Sequence, residues 1–470
     1  MSRTFRPRRL AAGLSAAALV CLSLGAATTA NATPNAAALD DAATGPLMNY
    51  VVNTKATPGH VRKTEQAVKD AGGTVLVSYQ QLGVVVAQST NPAFRTDVRA
   101  THNGREVQSV GATRTAAVSE GAGGQNGFTA TPALDPREGE QWDMVQIKAD
   151  QAHTVTDGSR SVLVGINDSG VDDTHPDLAP NFDAAGSVSC VRNGVPDTTP
   201  GAWRPTSSSH GTHVAGTVAA ARNGVGIVGV APGVRIASVK VVNDDGFIYP
   251  EYSICGIVWA AEHNMPVTNH SYFIDPFEFW CNDNGDQGAV QEAVRRAYAW
   301  ATDRGTLSVA AAGNANYDLA NKTVDRNSPN DSTPVTRTIN NDCLDMPTEL
   351  PGVITVASTT QTRARSGFSN FGLNRIDVAA PGSSILSTLP GGRYGLSSGT
   401  SMASPHVAGV AALMKSTHPS WGPTDIEHAL HQQADDTACP TTPDPRCTGT
   451  TTENSFFGEG ITDALDAVTP

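Results

Sequence analysis

Short apolar segments alternate with helical segments from Gln141 onward, and this alternation limits the possible folds more than any other feature. Strands are predicted at 161–166, 235–242, 267–271, 307–311, 352–358 and 377–379. Helices are predicted between or after them at 210–222, 251–263, 287–304 and 401–418. Such alternation requires an α/β fold with a mainly parallel sheet that helices cover on both faces. In these folds the functional groups lie beyond the carboxyl ends of the strands.

Length and charge exclude several classes of protein. The 470 residues are 39% hydrophobic and 16% charged, which is enough apolar material for a large core. Asp and Glu total 45 and Lys and Arg total 32, so the formal net charge is -13. This charge repels nucleic acid phosphates and anionic membrane surfaces. We therefore expect no nucleic acid and no membrane among the partners of the exported chain.

The first 140 residues divide into three segments. Residues 1–32 have a basic start, an apolar run and a small-residue cleavage site, which are typical of a secretory signal peptide, with an uncleaved anchor as the alternative. Residues 33–115 contain the pattern of a small α+β unit with a strand, a helix and a hairpin. Residues 116–140 are rich in Gly, Ala and Pro and predict an exposed linker. Residues 141–470 then form the α/β domain.

Cysteine usage agrees with export. Once Cys21 is removed with the signal peptide, six cysteines remain, and an even number in an exported chain favours disulfides. Cys439 and Cys447 flank a proline-rich turn and are predicted to pair with each other. The pairing of the other four stays open.

Three motifs place reactive side chains at the ends of predicted elements: a carboxylate after a buried strand, an imidazole at a helix start and a hydroxyl at another helix start. They are Ile166-Asn167-Asp168-Ser169-Gly170, Ser209-His210-Gly211-Thr212-His213-Val214-Ala215-Gly216 and Ser398-Gly399-Thr400-Ser401-Met402-Ala403-Ser404-Pro405-His406. Acyl transfer needs a hydroxyl nucleophile, an imidazole base and a carboxylate that orients the imidazole. Alone, such an Asp is usually a turn former and such a Ser a helix cap. His210 and His213 are also candidate zinc ligands, although no further ligand is evident.

These motifs, in the order Asp, His, Ser, resemble those of the subtilisin-like serine proteases. The resemblance extends from about Gln141 to Val468 and implies a three-layer subtilisin-like fold and a secreted serine endopeptidase that acts on proteins or peptides. It implies that Ser401 is the nucleophile, His210 the general base and then acid, and Asp168 the orienting carboxylate. The segment 310–314 resembles the oxyanion strand of the family, so Asn314 and the Ser401 backbone N–H are the implied oxyanion donors. No cofactor is implied for catalysis.

The N-terminal unit also has a counterpart in that family. It resembles, more weakly, the inhibitor-type prodomain that precedes many of these proteases. The resemblance implies a self-processing precursor in which the chain's own prodomain blocks the active site. An independent binding domain is the alternative.

The same resemblance assigns the substrate cleft. Its two peptide-binding edges are Gly246, Phe247 and Ile248 on one side and Ser271, Tyr272 and Phe273 on the other, with Ala312 and Gly313 as a wall. Phe273 stands where the family usually has glycine, so the pocket is either narrowed or remodelled. A preference for apolar side chains is expected.

A structural calcium site is implied at Asp177 and Asn223, since oxygen ligands suit Ca²⁺. Glu138 or Gln141 is a candidate further ligand. The neighbouring Arg222 opposes bound calcium, and a metal-free turn is the alternative.

Two further residues of the motifs carry expectations. Asn167 replaces the aliphatic residue usual in the family, and a buried amide should have a hydrogen-bond partner. His406 is expected to be a packing residue.

The expected product is an extracellular monomer. A catalytically silent binding protein with this fold is the rival from another class, although no member of the triad is missing. A processing protease with one narrow substrate is the enzymatic rival.

Overall fold

The structure is a computed structural model that describes residues 45–118 and 137–469. The predicted signal peptide and most of the predicted linker lie outside these ranges. Within them, no helix is both long enough and apolar enough to cross a membrane.

Residues 45–118 form an antiparallel sheet of four strands with two helices. The elements are β1 (Met48–Asn53), α1 (Pro58–Asp70), β2 (Gly73–Tyr79), β3 (Val84–Ser89), α2 (Phe94–Ala100) and β4 (Ser109–Ala112), with a 3-10 turn at Gly104–Glu106. The strand order is β2-β3-β1-β4. Helix α1 begins where Thr57 caps it and Pro58 occupies its first turn. One sheet face buries a core with α1 and α2, which is the small α+β unit that the sequence predicts.

Residues 137–469 contain the large sheet. The elements are α3 (Trp142–Gln146), α4 (Ala149–Ala152), β5 (Leu163–Asp168), β6 (Val188–Arg192), β7 (Val195–Asp197), α5 (His210–Ala219), β8 (Arg235–Lys240), α6 (Pro250–Glu262), β9 (Val267–His270), β10 (Trp280–Cys281), α7 (Gly285–Asp303), β11 (Leu307–Ala311), β12 (Val324–Asp325), β13 (Arg337–Thr338), β14 (Cys343–Leu344), β15 (Val353–Thr359), β16 (Val378–Pro381), β17 (Ile385–Leu389), β18 (Arg393–Ser397), α8 (Thr400–Thr417) and α9 (Pro423–Gln432). A 3-10 turn at Glu138–Glu140 precedes them.

The large sheet has the order β16-β15-β11-β9-β5-β8-β6-β7, and its strands are parallel except for the pair of β6 and β7. Helices α5 and α8 pack on one face, and α6 and α7 pack on the other. Every residue of β5, β9 and β11 is buried, as expected for strands covered on both sides. The predicted three-layer α/β fold is confirmed. The carboxyl ends of β5, β9 and β11 meet at one edge of the sheet.

The two sheets share a core. The second face of the N-terminal sheet packs on α6 and α7, and Val51, Val84 and Val86 join one apolar cluster with residues of both helices. Arg296 of α7 donates hydrogen bonds to backbone carbonyls of the N-terminal unit, the shortest to Thr54 at 2.8 Å. The contact therefore combines apolar burial with backbone recognition.

Three disulfides cross-link the chain. Cys439 pairs with Cys447, as predicted, and the structure adds Cys190–Cys255 and Cys281–Cys343. The last of these joins β10 to β14, which lie beside the carboxyl edge of the sheet. It fixes the two loops on either side of that strand pair.

Candidate active site

A carboxylate and an imidazole meet at the end of β5. Asp168 is the last residue of β5 and His210 the first of α5, and His210 Nδ1 lies 2.8 Å and 3.0 Å from the two carboxylate oxygens. The Asp168 side chain is 1% exposed and that of His210 is 35% exposed. Gly211 permits this approach, because a Cβ there would lie 2.5 Å from the Gly170 carbonyl oxygen. Because Asp168 holds Nδ1 and the imidazole is partly exposed, Nε2 on the opposite side of the ring can face a reacting group.

The environment of His210 sets its pKa. Burial by itself lowers the pKa of this imidazole, but the charge of Asp168 and its hydrogen bond raise it. The net shift of the pKa is upward from the ordinary value of 6.5. Asp168 thus stabilises the imidazolium that a general base becomes when it accepts a proton.

Ser401 lies at the same edge, in the first turn of α8. Its Oγ donates a hydrogen bond to the Ser271 carbonyl oxygen at 3.2 Å. Ser271 follows His270, whose register partner in β5 is Asn167, so Ser401 stands one strand away from Asp168. Within the described ranges, no hydrogen bond joins Ser401 Oγ to His210. Catalytic hydrogen bonds are often absent before substrate binds.

Asn314 follows β11 and is held by Thr400, a residue that the sequence analysis did not single out. Its Oδ1 accepts hydrogen bonds from the Thr400 backbone N–H at 2.8 Å and from the Thr400 hydroxyl at 3.0 Å. Because a backbone N–H can only donate, the amide oxygen must face Thr400, and Nδ2 faces the other way as a donor. The preceding Gly313 has φ +97°, which favours glycine and turns the chain at this point. The sequence signal that could have identified Thr400 is its position next to Ser401 inside the serine motif.

A cavity of about 460 Å³ opens beside Ser401 and Asn314. Of the predicted substrate residues, those that line it are Gly246, Ile248, Ser271, Tyr272, Phe273 and Gly313. Two predicted residues do not line it. Ala312 is completely buried, with its N–H donated to β15, and the Phe247 ring packs toward Tyr249. Three carboxyl residues that the sequence analysis did not single out also line the cavity: Asp275, Glu278 and Asp345.

The other motif histidines have structural contacts. His213 Nε2 lies 3.1 Å and 3.2 Å from backbone carbonyl oxygens of the β17–β18 hairpin, and burial lowers its pKa to about 4. His406, expected to be a packing residue, is buried and lies 2.9 Å from an Asp143 carboxylate oxygen. His210 and His213 therefore have separate partners, and the described part of the chain has no group of three His, Cys, Asp or Glu side chains arranged to hold a metal.

Asn167 is completely buried in β5, and its polar neighbour is Tyr272. Neither amide atom forms a hydrogen bond of good geometry with a described residue, but the Asn167 side chain interacts with the Tyr272 hydroxyl and lowers the pKa of that tyrosine against the larger effect of burial. Gly256 on the facing helix leaves room for the amide, because a Cβ there would lie 3.1 Å from its Nδ2.

The residues implied for calcium are engaged in other contacts. Asp177 Oδ2 accepts hydrogen bonds from the Ile227 N–H and from the Tyr394 hydroxyl, and the Asn223 side chain also interacts with this carboxylate. Asn223 Oδ1 accepts a hydrogen bond from the Val225 backbone N–H. The Gln141 side chain donates to the Val228 carbonyl oxygen and accepts from the Val228 N–H. Glu138 accepts a hydrogen bond from Arg222. Ca²⁺ takes six to eight oxygens. The set as arranged does not fit the ion, which favours the metal-free turn that the sequence analysis gives as the alternative.

The sheet carries its candidate catalytic groups at the carboxyl edge, where the Asp168–His210 pair lies near Ser401 and Asn314. This fold with this site defines a serine hydrolase of the subtilisin class. Residues 159–460 match the model of the Subtilase family, Peptidase_S8. This stretch is more than half of the chain, and the chain belongs to the subtilase family.

Curated relatives agree with this family assignment, and a solved structure agrees with the fold. Subtilisin E of Bacillus subtilis (strain 168) is 37% identical over 289 residues, which are 62% of this chain and 64% of that protein. The subtilisin of Bacillus pumilus is 37% identical over 289 residues, 62% of this chain and 89% of that protein. The chain thus spans 64% of the length of the Bacillus subtilis relative. The fold is similar to that of the epidermin leader peptide processing serine protease (EpiP) of Staphylococcus aureus, with a TM-score of 0.68, 23% identity and coverage of 90% of this chain and 98% of that chain.

Proposed function

We propose that this protein is a secreted serine endopeptidase that hydrolyses peptide bonds through an acyl-enzyme on Ser401. The observation that carries the proposal is the convergence of the Asp168–His210 pair, the Ser401 hydroxyl and the Asn314 amide at one sheet edge.

The proposed reaction assigns one task to each group. His210 Nε2 takes the Ser401 proton while Oγ bonds to the scissile carbonyl carbon, and Asp168 holds the other ring nitrogen. For this step the Ser401 hydroxyl must leave the Ser271 carbonyl oxygen and turn toward His210. The negative oxygen of the tetrahedral intermediate takes donors from Asn314 Nδ2 and from the Ser401 N–H, which has no intrahelical acceptor in the first turn of α8. His210 then passes the proton to the leaving amine, and water releases the acyl group.

Hydrolysis without a metal cofactor is the first expected result. Purified mature protein should cleave casein and labelled peptides at an initial rate that a chelator does not change, because the proposed groups supply base, nucleophile and oxyanion donors. The same samples should have melting temperatures that do not depend on millimolar calcium, because Asp177 and Asn223 are already hydrogen-bonded. A calcium-dependent melting temperature that Asp177→Ala abolishes would instead establish the implied ion. Casein left intact while one short peptide is cut would indicate a narrow processing protease.

The pH dependence of hydrolysis is the second expected result. Only neutral His210 can accept the Ser401 proton, so kcat/KM should fall as the pH drops below the pKa of His210. Asp168 holds that pKa above the ordinary 6.5, so the acid limb should have an apparent pKa above this value. A neutral peptide assayed from roughly pH 5 to 9 measures it. An acid limb centred clearly below 6.5 contradicts this role of Asp168.

We further propose that residues 33–115 are an inhibitory prodomain that the enzyme itself removes. The support is the tail that follows β4. Arg114 forms a buried ion pair with Glu251 and lies 3.8 Å over the Tyr249 ring, beside the Gly246–Ile248 segment. The Thr115 backbone N–H then donates to Asp331 at 3.0 Å, next to Asn330 of the cavity wall. The chain thus leaves the N-terminal sheet in the direction of the cleft.

Inhibition by the separate prodomain is the third expected result. Residues 33–115, added in excess, should suppress peptide hydrolysis by the mature enzyme. Arg114→Ala in this fragment should weaken inhibition by roughly 10² to 10³-fold, because removing one partner of a buried ion pair leaves the other uncompensated. Arg62→Ala, at an exposed position of α1, is the matched control and should inhibit like the unchanged fragment. Inhibition constants from progress curves measure the effect, and undiminished hydrolysis in excess fragment contradicts the assignment.

A further inference from the structure

The cavity beside Ser401 has an acidic wall. Three carboxyl residues line it, and the lining contributed by residues 45–118 and 137–469 contains no Lys, Arg or His. They are Asp275, Glu278 and Asp345. All three are buried side chains, so water compensates them poorly.

Asp345 is the carboxyl that lacks an internal partner. Its side chain is 2% exposed, and its Oδ1 forms no hydrogen bond with any residue that the structure describes. The buried cation on that side, Lys322, is already bound to both oxygens of Glu349 at 2.6 Å. A Cβ on Gly313 would lie 3.4 Å from Asp345 Oδ2, so the carboxylate is next to the residue that precedes Asn314. An unpaired buried carboxyl in a cavity wall is a site for a donor that the protein does not supply.

The other two carboxyls differ in how well they are satisfied. Asp275 accepts hydrogen bonds from the Ile248 N–H at 2.5 Å and from Asn330 at 2.6 Å. Glu278 accepts one bond, from Asn327 at 3.3 Å. Asp275 therefore mainly holds the Ile248 edge in place, whereas Glu278 keeps acceptor capacity beside Asp345.

The acidic wall is held in place by a pair of short strands and a disulfide. Glu278 and Asp345 belong to loops beside β10 and β14, which pair Trp280 with Leu344 and are joined by the Cys281–Cys343 disulfide. This cross-link keeps the two carboxyls on the same side of the cavity. The charges also affect one another, since Glu278 raises the pKa of Asp345 in addition to the larger effect of burial.

Electrostatics favour a cationic guest. Burial raises the pKa of Asp275 and of Glu278 to about 7 each, and it raises that of Asp345 well above its ordinary value. In the empty cavity burial thus favours the protonated, neutral form of these carboxyls, and a cation lowers their pKa again because it gives the ionised form a partner. An apolar guest would leave Asp345 Oδ1 unpaired. The lining therefore differs from the apolar preference expected from the sequence.

We propose that this cavity binds the side chain that precedes the scissile bond and selects a basic residue, Arg or Lys, through Asp345 with Glu278 beside it. The inference rests on the proposed peptidase function and defines its substrate class. The cation lies next to the Gly313–Asn314 wall, so its binding also positions the scissile carbonyl near Ser401 and Asn314.

The test compares peptides that differ only in the residue before a coumarin amide: Arg, its neutral near-isostere citrulline, and Leu. The expected kcat/KM for Arg exceeds that for citrulline by roughly 10² to 10³-fold, the usual effect of leaving a buried charge without its partner. Asp345→Asn keeps the size of the side chain and should reduce this ratio at least tenfold. Asp342→Asn removes the same charge from an exposed position three residues earlier and should leave the ratio unchanged.

A fluorophosphonate that modifies the serine separates the inference from the function on which it rests, because the probe carries no basic side chain. Normal labelling of Ser401 in the Asp345→Asn variant shows that the site is intact; Glu278→Gln replaces this variant if it does not fold. Labelling with equal cleavage of the Arg, citrulline and Leu peptides overturns the basic preference alone. Absence of both labelling and cleavage of any peptide in the unchanged enzyme overturns the peptidase function, and the inference with it.

Discussion

Ser401→Ala should lower peptide hydrolysis by about six orders of magnitude, a figure that comes from a member of this family. The expected protein is also an uncut precursor, because the proposed removal of the prodomain needs the same hydroxyl. The loss should leave the fold intact, since among the described residues Ser401 Oγ makes a single hydrogen bond, to the Ser271 carbonyl oxygen.

Intact mass and kcat on one peptide measure both effects. Ser161→Ala, at an exposed position just before β5, is the matched control and should mature and hydrolyse normally. Maturation of purified Ser401→Ala protein in a protease-free mixture would show that the enzyme does not process itself. Unchanged hydrolysis would remove Ser401 from the reaction.

Asp168→Asn should lower kcat by about 10⁴, the effect known for the equivalent change in a serine protease triad. The structure gives the reason. The Ser169 N–H donates to Asp168 Oδ1 at 2.7 Å, so the amide oxygen of the new Asn has to remain on that side. The NH₂ group then replaces Oδ2, which lies 3.0 Å from His210 Nδ1, while the retained oxygen lies 2.8 Å from the same nitrogen. A hydrogen bond donated by this NH₂ group to Nδ1 favours the tautomer with the proton on Nε2. Because Nε2 already carries a proton in this tautomer, it can no longer accept the Ser401 proton.

The substitution also has a signature that a structural defect would not produce. The upward shift in the pKa of His210 should disappear, which NMR titration of the imidazole measures directly. Asp150→Asn, an exposed carboxyl on α4, should leave both kcat and the titration unchanged. A His210 titration that stays above 6.5 in Asp168→Asn contradicts the assigned role.

These two residues differ from the cavity carboxyls in how they could be found. Asp168 and Ser401 stand in long local motifs, and their positions follow from where a strand ends and a helix begins. Asp275 and Asp345 stand in loops that depart from the family pattern, and they are 70 positions apart in the sequence. The β10–β14 pairing, the Cys281–Cys343 disulfide and a backbone hydrogen bond from Ile274 to Met346 bring those loops together.

Local pattern by itself determined the parallel sheet, the edge at which the motifs meet and the short Cys439–Cys447 link. Each depends on residues that are close in sequence or on one rule, that parallel strands end at the same side of the sheet. Element boundaries moved by a few residues, as in β5, predicted at 161–166 and found at Leu163–Asp168. The resemblance of the three motifs, in the order Asp, His, Ser, to those of the subtilisin-like proteases then supplied the candidate site without any knowledge of loop packing.

Tertiary structure alone decided the contacts between distant segments. It oriented Asn314 through hydrogen bonds from Thr400, placed Ala312 outside the cavity lining and the Phe247 ring against Tyr249, and put Asn167 beside Tyr272. It also placed the side chain of Asp345, whose Oδ1 lacks a partner among the described residues, in the wall of the cavity. The physical reason is that hydrogen bonding and desolvation depend on which atoms surround a group in space, and in long loops these neighbours come from the packing of the whole chain.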